Sequence, residues 1–143
     1  MSIKKRRCGG EGSDSIEHLM KYPTGYEPRT HKMTLLRPYF ESIARGEKTV
    51  EMRLNDEKRK QVKVGDLIEF TCADSTETVT VAVQNKRVFA DFSRLAEAYP
   101  PKVLGFSHSP ACEIAEFMTS VYGKEAIEKN NALAIEIRLL SDK

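Results

Sequence analysis

The sequence predicts an α+β domain in which short strands form a small, partly closed β-barrel with helices packed at its edges. Three observations support this fold class. Apolar and polar residues alternate in several short segments, which is typical of strands half buried in a sheet. Glycine, proline or polar residues separate most of these segments, so tight turns are expected between them. The elements follow the order strand, helix, strand, strand, strand, helices, strand.

The length and composition indicate one folded domain preceded by an arm. The chain has 143 residues, of which 40% are hydrophobic and 31% charged, values that are ordinary for a globular protein with its own core. Residues 1–30 are rich in glycine and basic residues and are predicted to be a partly flexible N-terminal arm, with two helical turns over Ser15–Lys21. Residues 31–143 are predicted to form the domain.

The first strand is predicted over His31–Leu36, because Met33 and Leu35 fall on one side of an extended chain. Proline suits the first turn of a helix, so Pro38 indicates that a helix begins there. Gly46 is a fitting end for this helix, since glycine adopts the left-handed conformation that follows many helix C-termini.

The most informative segment is Gly46-x-Lys48-x-x-Glu51-x-Arg53, which follows the first helix directly. Alternation over Thr49–Leu54 predicts a strand with Glu51 and Arg53 on one face and the apolar residues on the other. Lys48 has the parity of the apolar face. We therefore expect it to lie at the end of the strand, or to be turned outward by a bulge.

The middle of the chain is predicted to form a basic loop over residues 54–64, a turn at Gly65-Asp66 and a β-hairpin. The hairpin strands are Leu67–Cys72 and Thr78–Phe89, and a polar loop joins them. Towards the C-terminus the sequence predicts these elements: a helix over Asp91–Tyr99, an extended piece over Val103–Phe106, a helix opened by Pro110 and closed by Gly123, a helical turn over Lys124–Lys129 and a last strand over Ala132–Leu139.

The three cysteines are odd in number and far apart, which argues against a disulfide framework and fits a reducing, cytoplasmic location. Cys72 and Cys112 are predicted to be buried. The scattered histidines, His31 among them, are expected to be surface groups or locally satisfied, and no spacing suggests a metal site or a cofactor. No apolar run is long enough to predict a membrane span.

Charge is distributed unevenly around the motif. From His31 to Lys63 there are nine Lys/Arg and five Asp/Glu, whereas from Val64 onward there are eight and twelve. A basic excess of this kind is consistent with an anionic partner and equally with a solvated loop.

Four segments of the chain, taken together, resemble the ASCH domain family. They are Met33–Phe40, the Gly46-x-Lys48-x-x-Glu51-x-Arg53 motif, the segment Val64-Gly65-Asp66-x-Ile68-x-Phe70 and Ala132–Ile137. The family has a fold like that of the PUA RNA-binding domain. The resemblance implies a pseudo-barrel with a ligand cleft that is lined by the Lys-x-x-Glu-x-Arg strand and the neighbouring helix. It also implies binding of RNA or of a modified nucleoside or nucleotide.

Some members of the family are reported to be enzymes, so a small hydrolase is the alternative. One type deacylates N4-acetylcytidine and another is described as a ribonuclease. The amidohydrolase type has a threonine as its proposed nucleophile where this chain has Glu51, a side chain without a hydroxyl, so the chain departs from that type at the nucleophile position. If the chain is an enzyme, the expected catalytic groups are Lys48 and Glu51.

The residue types of the motif allow several roles. Arg53 suits two-point hydrogen bonding and Lys48 acts as a point charge, so both could meet a phosphate. Glu51 could accept hydrogen bonds from a base, act as a general base, or simply pair with the two cations. Tyr39 is a candidate stacking platform, whereas Phe40 is expected to be core. The candidate ligand-binding residues are Arg37, Tyr39, Lys48, Thr49, Glu51, Arg53, Arg59 and Lys60.

Overall fold

The computed structural model describes residues 27–140, so the predicted helical turns at Ser15–Lys21 lie outside the described residues. The strands are β1 (Thr30–Leu35), β2 (Val50–Leu54), β3 (Leu67–Cys72), β4 (Thr78–Phe89) and β5 (Ala132–Leu139). The helices are α1 (Arg37–Ala44), α2 (Glu57–Lys60), α3 (Phe92–Glu97), α4 (Pro101–Leu104), α5 (Ala111–Tyr122) and α6 (Lys124–Asn130).

The five strands form one mixed sheet in the order β1-β3-β4-β5-β2. β1 pairs with β3 in parallel and all other pairs are antiparallel. The sheet curves into a half-barrel with flanking helices, which confirms the predicted α+β, PUA-like fold class. Because β1 and β2 are the two edges of the sheet, the barrel is left open between them.

Two apolar clusters lie on opposite faces of the sheet. The inner face packs Phe70, Val81 and Ile135 against Phe40 and Ile43 of α1, which confirms that Phe40 belongs to the core. The outer face packs against α3, α4 and α5. β5 contributes side chains to both clusters, since its larger side chains face inward and its alanines face the helices. The strand is therefore buried on both faces.

The turn before β3 is anchored by a fully buried carboxylate. Asp66 accepts hydrogen bonds from the backbone N–H groups of Arg29 and Lys63, at 3.1 and 3.0 Å, and lies 2.7 Å from Nε2 of His31. The bonds join the start of β1 to the turn. His31 is thus locally satisfied, as expected from the sequence.

Three predictions were wrong. The segment predicted to be extended from Val103 contains the end of α4, because Pro101 opens a helical turn there and Gly105 closes it at φ +97°. The loop before Gly65 contains α2, whose N-terminus is capped by the carboxylate of Asp56. Cys112 is exposed, since it lies in the first turn of α5 on the side away from the sheet, whereas Cys72 is buried as predicted.

No helix within residues 27–140 is both long enough and apolar enough to cross a membrane.

Candidate functional site

The charged residues of the motif come together on the inner side of β2. Val50 and Met52 point towards the helices, so Glu51 and Arg53 share the opposite face, as the alternation predicts. Lys48 lies before β2 begins, so the alternation of side chains along the strand does not determine which face Lys48 points to. Its Nζ lies 3.2 Å from Oε1 of Glu51, and Nε of Arg53 lies 2.6 Å from Oε2. We call these three side chains the ion triad.

Lys48 is held as a fully bonded cation. Its side chain is 3% exposed, and Nζ donates to the carbonyl oxygens of Val50 and Leu104 at 2.9 and 2.8 Å in addition to facing Glu51. An ammonium has three N–H groups, and these three acceptors match them. Burial lowers the pKa of Lys48 below its ordinary value, and the Glu51 carboxylate offsets part of that effect.

Glu51 is held in its ionised form although it is buried. Burial alone would raise the pKa of this carboxyl, but the charges and hydrogen bonds of Lys48 and Arg53 outweigh burial and place the pKa below its ordinary value. A carboxylate offers about four lone-pair sites, of which the two cations occupy two. Glu51 can therefore accept further hydrogen bonds.

Arg53 spans the opening between the two edge strands. Its Nη2 donates to the backbone carbonyl of Thr34 in β1 at 2.9 Å, while its Nε is bound to Glu51. Nη1 has no hydrogen-bond partner within residues 27–140, and the side chain is 14% exposed. Arg53 thus links the sheet edges and, within the described part of the chain, keeps one donor without a partner.

A cavity of about 180 Å³ lies over the ion triad, in the opening of the half-barrel. Its polar base is the triad, and its remaining walls are mostly apolar or aromatic. Those walls are Thr34, Leu35, Leu36, Tyr39, Met52, Phe106, Phe117, Met118, Val121 and Tyr122. Pockets for drug-sized ligands typically measure about 300–1,000 Å³, so this cavity suits a single small ring system better than a dinucleotide.

Aromatic rings form one side of the cavity. Tyr39 packs against Phe106 with ring centroids 5.7 Å apart, and Nζ of Lys48 lies 5.8 Å from the Tyr39 ring centroid. Burial, and then the charge of Glu51, raise the pKa of Tyr39. Burial is also the main cause of the raised pKa of Tyr122. Both phenols therefore remain neutral at physiological pH.

Gly105 allows the end of α4 to approach this side of the cavity. A Cβ atom at Gly105 would lie 3.0 Å from Cδ of Lys48 and 3.2 Å from Cδ1 of Tyr39. Because Leu104 supplies one of the three acceptors for Lys48, this close approach helps to fix the ion triad.

Four of the candidate residues predicted from the sequence line the cavity, namely Tyr39, Lys48, Glu51 and Arg53. The other four lie elsewhere. Arg37 forms an exposed network with Asp74, Glu77 and Glu41.

Thr49 lines a separate recess of about 430 Å³ beside the C-terminal end of α1. Arg59 and Lys60 lie on α2, where Arg59 pairs with Asp56 at 3.1 Å. Nε of Arg59 is buried with no partner within the described part of the chain.

The wall formed by α5 is the part of the site that the sequence did not reveal. The helical spacing of Phe117, Met118 and Val121 is that of an ordinary core-facing stripe. From the sequence we predict a core role for these side chains and no contact with a ligand. In the structure this stripe extends past the core to the cavity, where Phe117 and Val121 are 41% and 55% exposed. Within residues 27–140, no group of three or more His, Cys, Asp or Glu side chains is placed to hold a metal ion.

Comparison with known proteins establishes the family. The sequence profile of the ASCH domain matches residues 33–141, about three quarters of the chain. The chain belongs to the ASCH domain family. ASCH domains are PUA-like and are thought to bind RNA. No curated protein matches this sequence.

Solved structures agree with this assignment. The hypothetical protein PH0355 is 31% identical and superposes with a TM-score of 0.70, covering 78% of this chain and 99% of its own. Protein PF0455 from Pyrococcus furiosus is 29% identical with a TM-score of 0.64, covering 78% and 98%. The ASCH domain from Lactobacillus crispatus, at 14% identity and a TM-score of 0.56 over 87% and 90%, shares the fold.

Proposed function

We propose that this ASCH protein binds RNA or a nucleotide by taking one unstacked base into the cavity over the ion triad. The observation that carries the proposal is the buried Glu51 carboxylate, held between Lys48 and Arg53 at the base of a cavity with aromatic walls. Specific RNA recognition commonly uses this combination, in which a splayed base packs on aromatic rings while polar groups bind its edge.

The hydrogen-bonding groups of the triad that have no partner among residues 27–140 indicate which edge of a base would fit the cavity. Glu51 has lone pairs to accept from an exocyclic amino group, as carboxylates do from N4 of cytosine. Nη1 of Arg53 can donate to a neighbouring ring nitrogen or carbonyl oxygen. A base with an amino group beside an acceptor, such as cytosine, therefore suits the cavity best.

The same geometry favours binding over hydrolysis. A lysine acting as a general base needs a free lone pair, whereas Nζ of Lys48 faces three acceptors. Glu51 provides no hydroxyl nucleophile, and its lowered pKa makes it a weak base. We therefore expect no turnover of N4-acetylcytidine and no cleavage of single-stranded RNA by the purified protein.

Calorimetric titration with the four ribonucleosides and with a single-stranded RNA tests the proposal. Arg53→Lys keeps the charge beside Glu51 but removes the planar fork, so we expect the affinity to fall roughly 10- to 150-fold, as for loss of a charged hydrogen bond. Arg94→Ala, which removes an exposed ion pair outside the cavity, should bind like the wild type. Absence of saturable binding to every nucleoside and RNA, or equal affinity in Arg53→Lys, would refute the proposal.

A further inference from the structure

The mouth of the cavity carries an exposed apolar rim. Among residues 27–140 six large hydrophobic side chains are exposed, and three of them, Leu36, Phe117 and Val121, line this one cavity. We call these three the rim. Phe117 is the one aromatic residue among the six. A ligand that leaves the cavity on this side passes directly over the rim.

The ring of Phe117 is supported from beneath. It meets Phe106 edge-on, with centroids 5.8 Å apart and an interplanar angle of 66°, and Phe106 in turn packs on Tyr39. Phe117 is nevertheless 41% exposed, so part of its surface remains open to a ligand. A ring that is fixed and partly exposed loses little conformational freedom when another ring stacks on it.

Size and charge restrict what the rim can bind. A stable protein interface uses about 20–30 residues on each side, far more than three side chains. Helix α5 contains no lysine or arginine, and Glu113 lies one turn before Phe117 on the same stripe. The rim is therefore unsuited to holding a phosphate, and a neutral flat group fits it better.

We infer that Phe117 is a stacking platform for a second base, the neighbour of the base in the cavity. The inference rests on the proposed function and makes it more specific: the preferred ligand is single-stranded RNA of at least two nucleotides, not a free nucleoside. Stacking on an aromatic side chain tolerates any base, so the second position should show little sequence preference.

The inference can be tested by comparing cytidine with single-stranded trinucleotides that contain cytosine. Stacking of one base should make a trinucleotide bind roughly 5- to 150-fold more tightly than the nucleoside. Phe117→Leu keeps apolar bulk but removes the ring, so it should abolish this gain and lower the affinity for the trinucleotide far more than the affinity for cytidine. Val88→Ala, at an exposed apolar position outside the cavity, is the matched control and should keep the gain.

A second variant reports stacking directly. The chain contains no tryptophan, so Phe117→Trp introduces a single indole at the rim, whose emission can be excited selectively over that of the five tyrosines. We expect trinucleotides to quench its emission more strongly than saturating cytidine does. The ratio of trinucleotide affinity to cytidine affinity should also be equal at 50 mM and 200 mM salt, because stacking releases no counterions, unlike a phosphate contact.

Each contrary result has a distinct meaning. If wild-type protein binds cytidine in an Arg53-dependent manner but binds trinucleotides no more tightly, the inference is wrong and the proposed function stands. Equal losses for both ligands in Phe117→Leu would also overturn it. Self-association that Phe117→Leu abolishes would assign the rim to a second copy of the chain instead. If neither ligand binds, the proposed function fails and the inference fails with it.

Discussion

Replacing Glu51 with glutamine should destabilise the fold far more than the loss of an ordinary surface charge. Glu51→Gln keeps the shape of the side chain but leaves Lys48, which is 3% exposed, without its counter-charge. Removing one partner of a buried ion pair typically costs about 3–5 kcal/mol. Arg53 is partly exposed and recovers some hydration, so we expect the lower end, about 3 kcal/mol. For a chain of this length that corresponds to a fall in melting temperature of about 10 °C.

Urea unfolding monitored by circular dichroism measures this change. The midpoint should fall while the slope with denaturant stays constant, because the surface exposed on unfolding is unchanged. Glu57→Gln is the matched control: Glu57 is 92% exposed and faces Lys60 at 3.5 Å, so its removal should leave the free energy of unfolding almost unchanged. Equal stabilities for the two variants would refute the view that the ion triad is a tightly coupled buried unit.

The same carboxylate makes a pH-dependent contribution with a definite sign. The folded-state pKa of Glu51 lies below its ordinary value of 4.5, so the folded protein holds this proton less tightly than the unfolded chain. Its stabilisation is therefore fully present above that ordinary pKa and is lost as the pH falls through the folded pKa. The difference in unfolding free energy between wild type and Glu51→Gln should shrink on acidification below pH 4.5. A difference that grows on acidification would contradict the assignment.

Two further predictions concern residues beside the site. Gly105→Ala should weaken ligand binding, because its Cβ would press on Lys48. Gly46 has a similar positive φ but open space around it, so Gly46→Ala should lower stability alone. Titration calorimetry and melting curves on both variants separate these effects. Arg37 holds the pKa of Asp74 at about 2, so Arg37→Ala should return that pKa towards 3.8, as NMR titration of the carboxyl carbon would show; an unchanged value would disprove the coupling.

The sequence predicted the longer elements well and the shortest ones poorly. The hairpin strands β3 and β4 and the last strand β5 have the predicted bounds, because their alternation is long and polar loops or glycine frame it. The four-residue helices α2 and α4 have no periodicity that a sequence pattern could reveal. Local events define them, namely the Asp56 cap and the left-handed Gly105.

In the site, too, the features set by local sequence were predicted and those set by distant parts of the chain were not. Glu51 and Arg53 were placed on one face by the two-residue period of a strand, which is a local property. The position of Lys48 depends on the carbonyl of Leu104, which is 56 residues away, and the outer wall depends on how far α5 extends past the core. No local pattern distinguishes Phe117 at a cavity mouth from a phenylalanine in the core, since both belong to the apolar stripe of a helix.

The location of the cavity follows from the open edge of the sheet. A fully closed barrel would pair β1 with β2 and use the backbone groups of both edges. Here Arg53 reaches from β2 to the carbonyl of Thr34 in β1, so a side chain joins the edges while the space between them stays open. The ion triad therefore both supports the opening and forms its polar base, and Glu51→Gln should reduce stability and binding together. Phe117 lies at the mouth and joins neither edge, so Phe117→Leu should reduce RNA binding at a smaller cost in stability than Glu51→Gln, about 0.5–1.5 kcal/mol for the lost edge-on contact with Phe106.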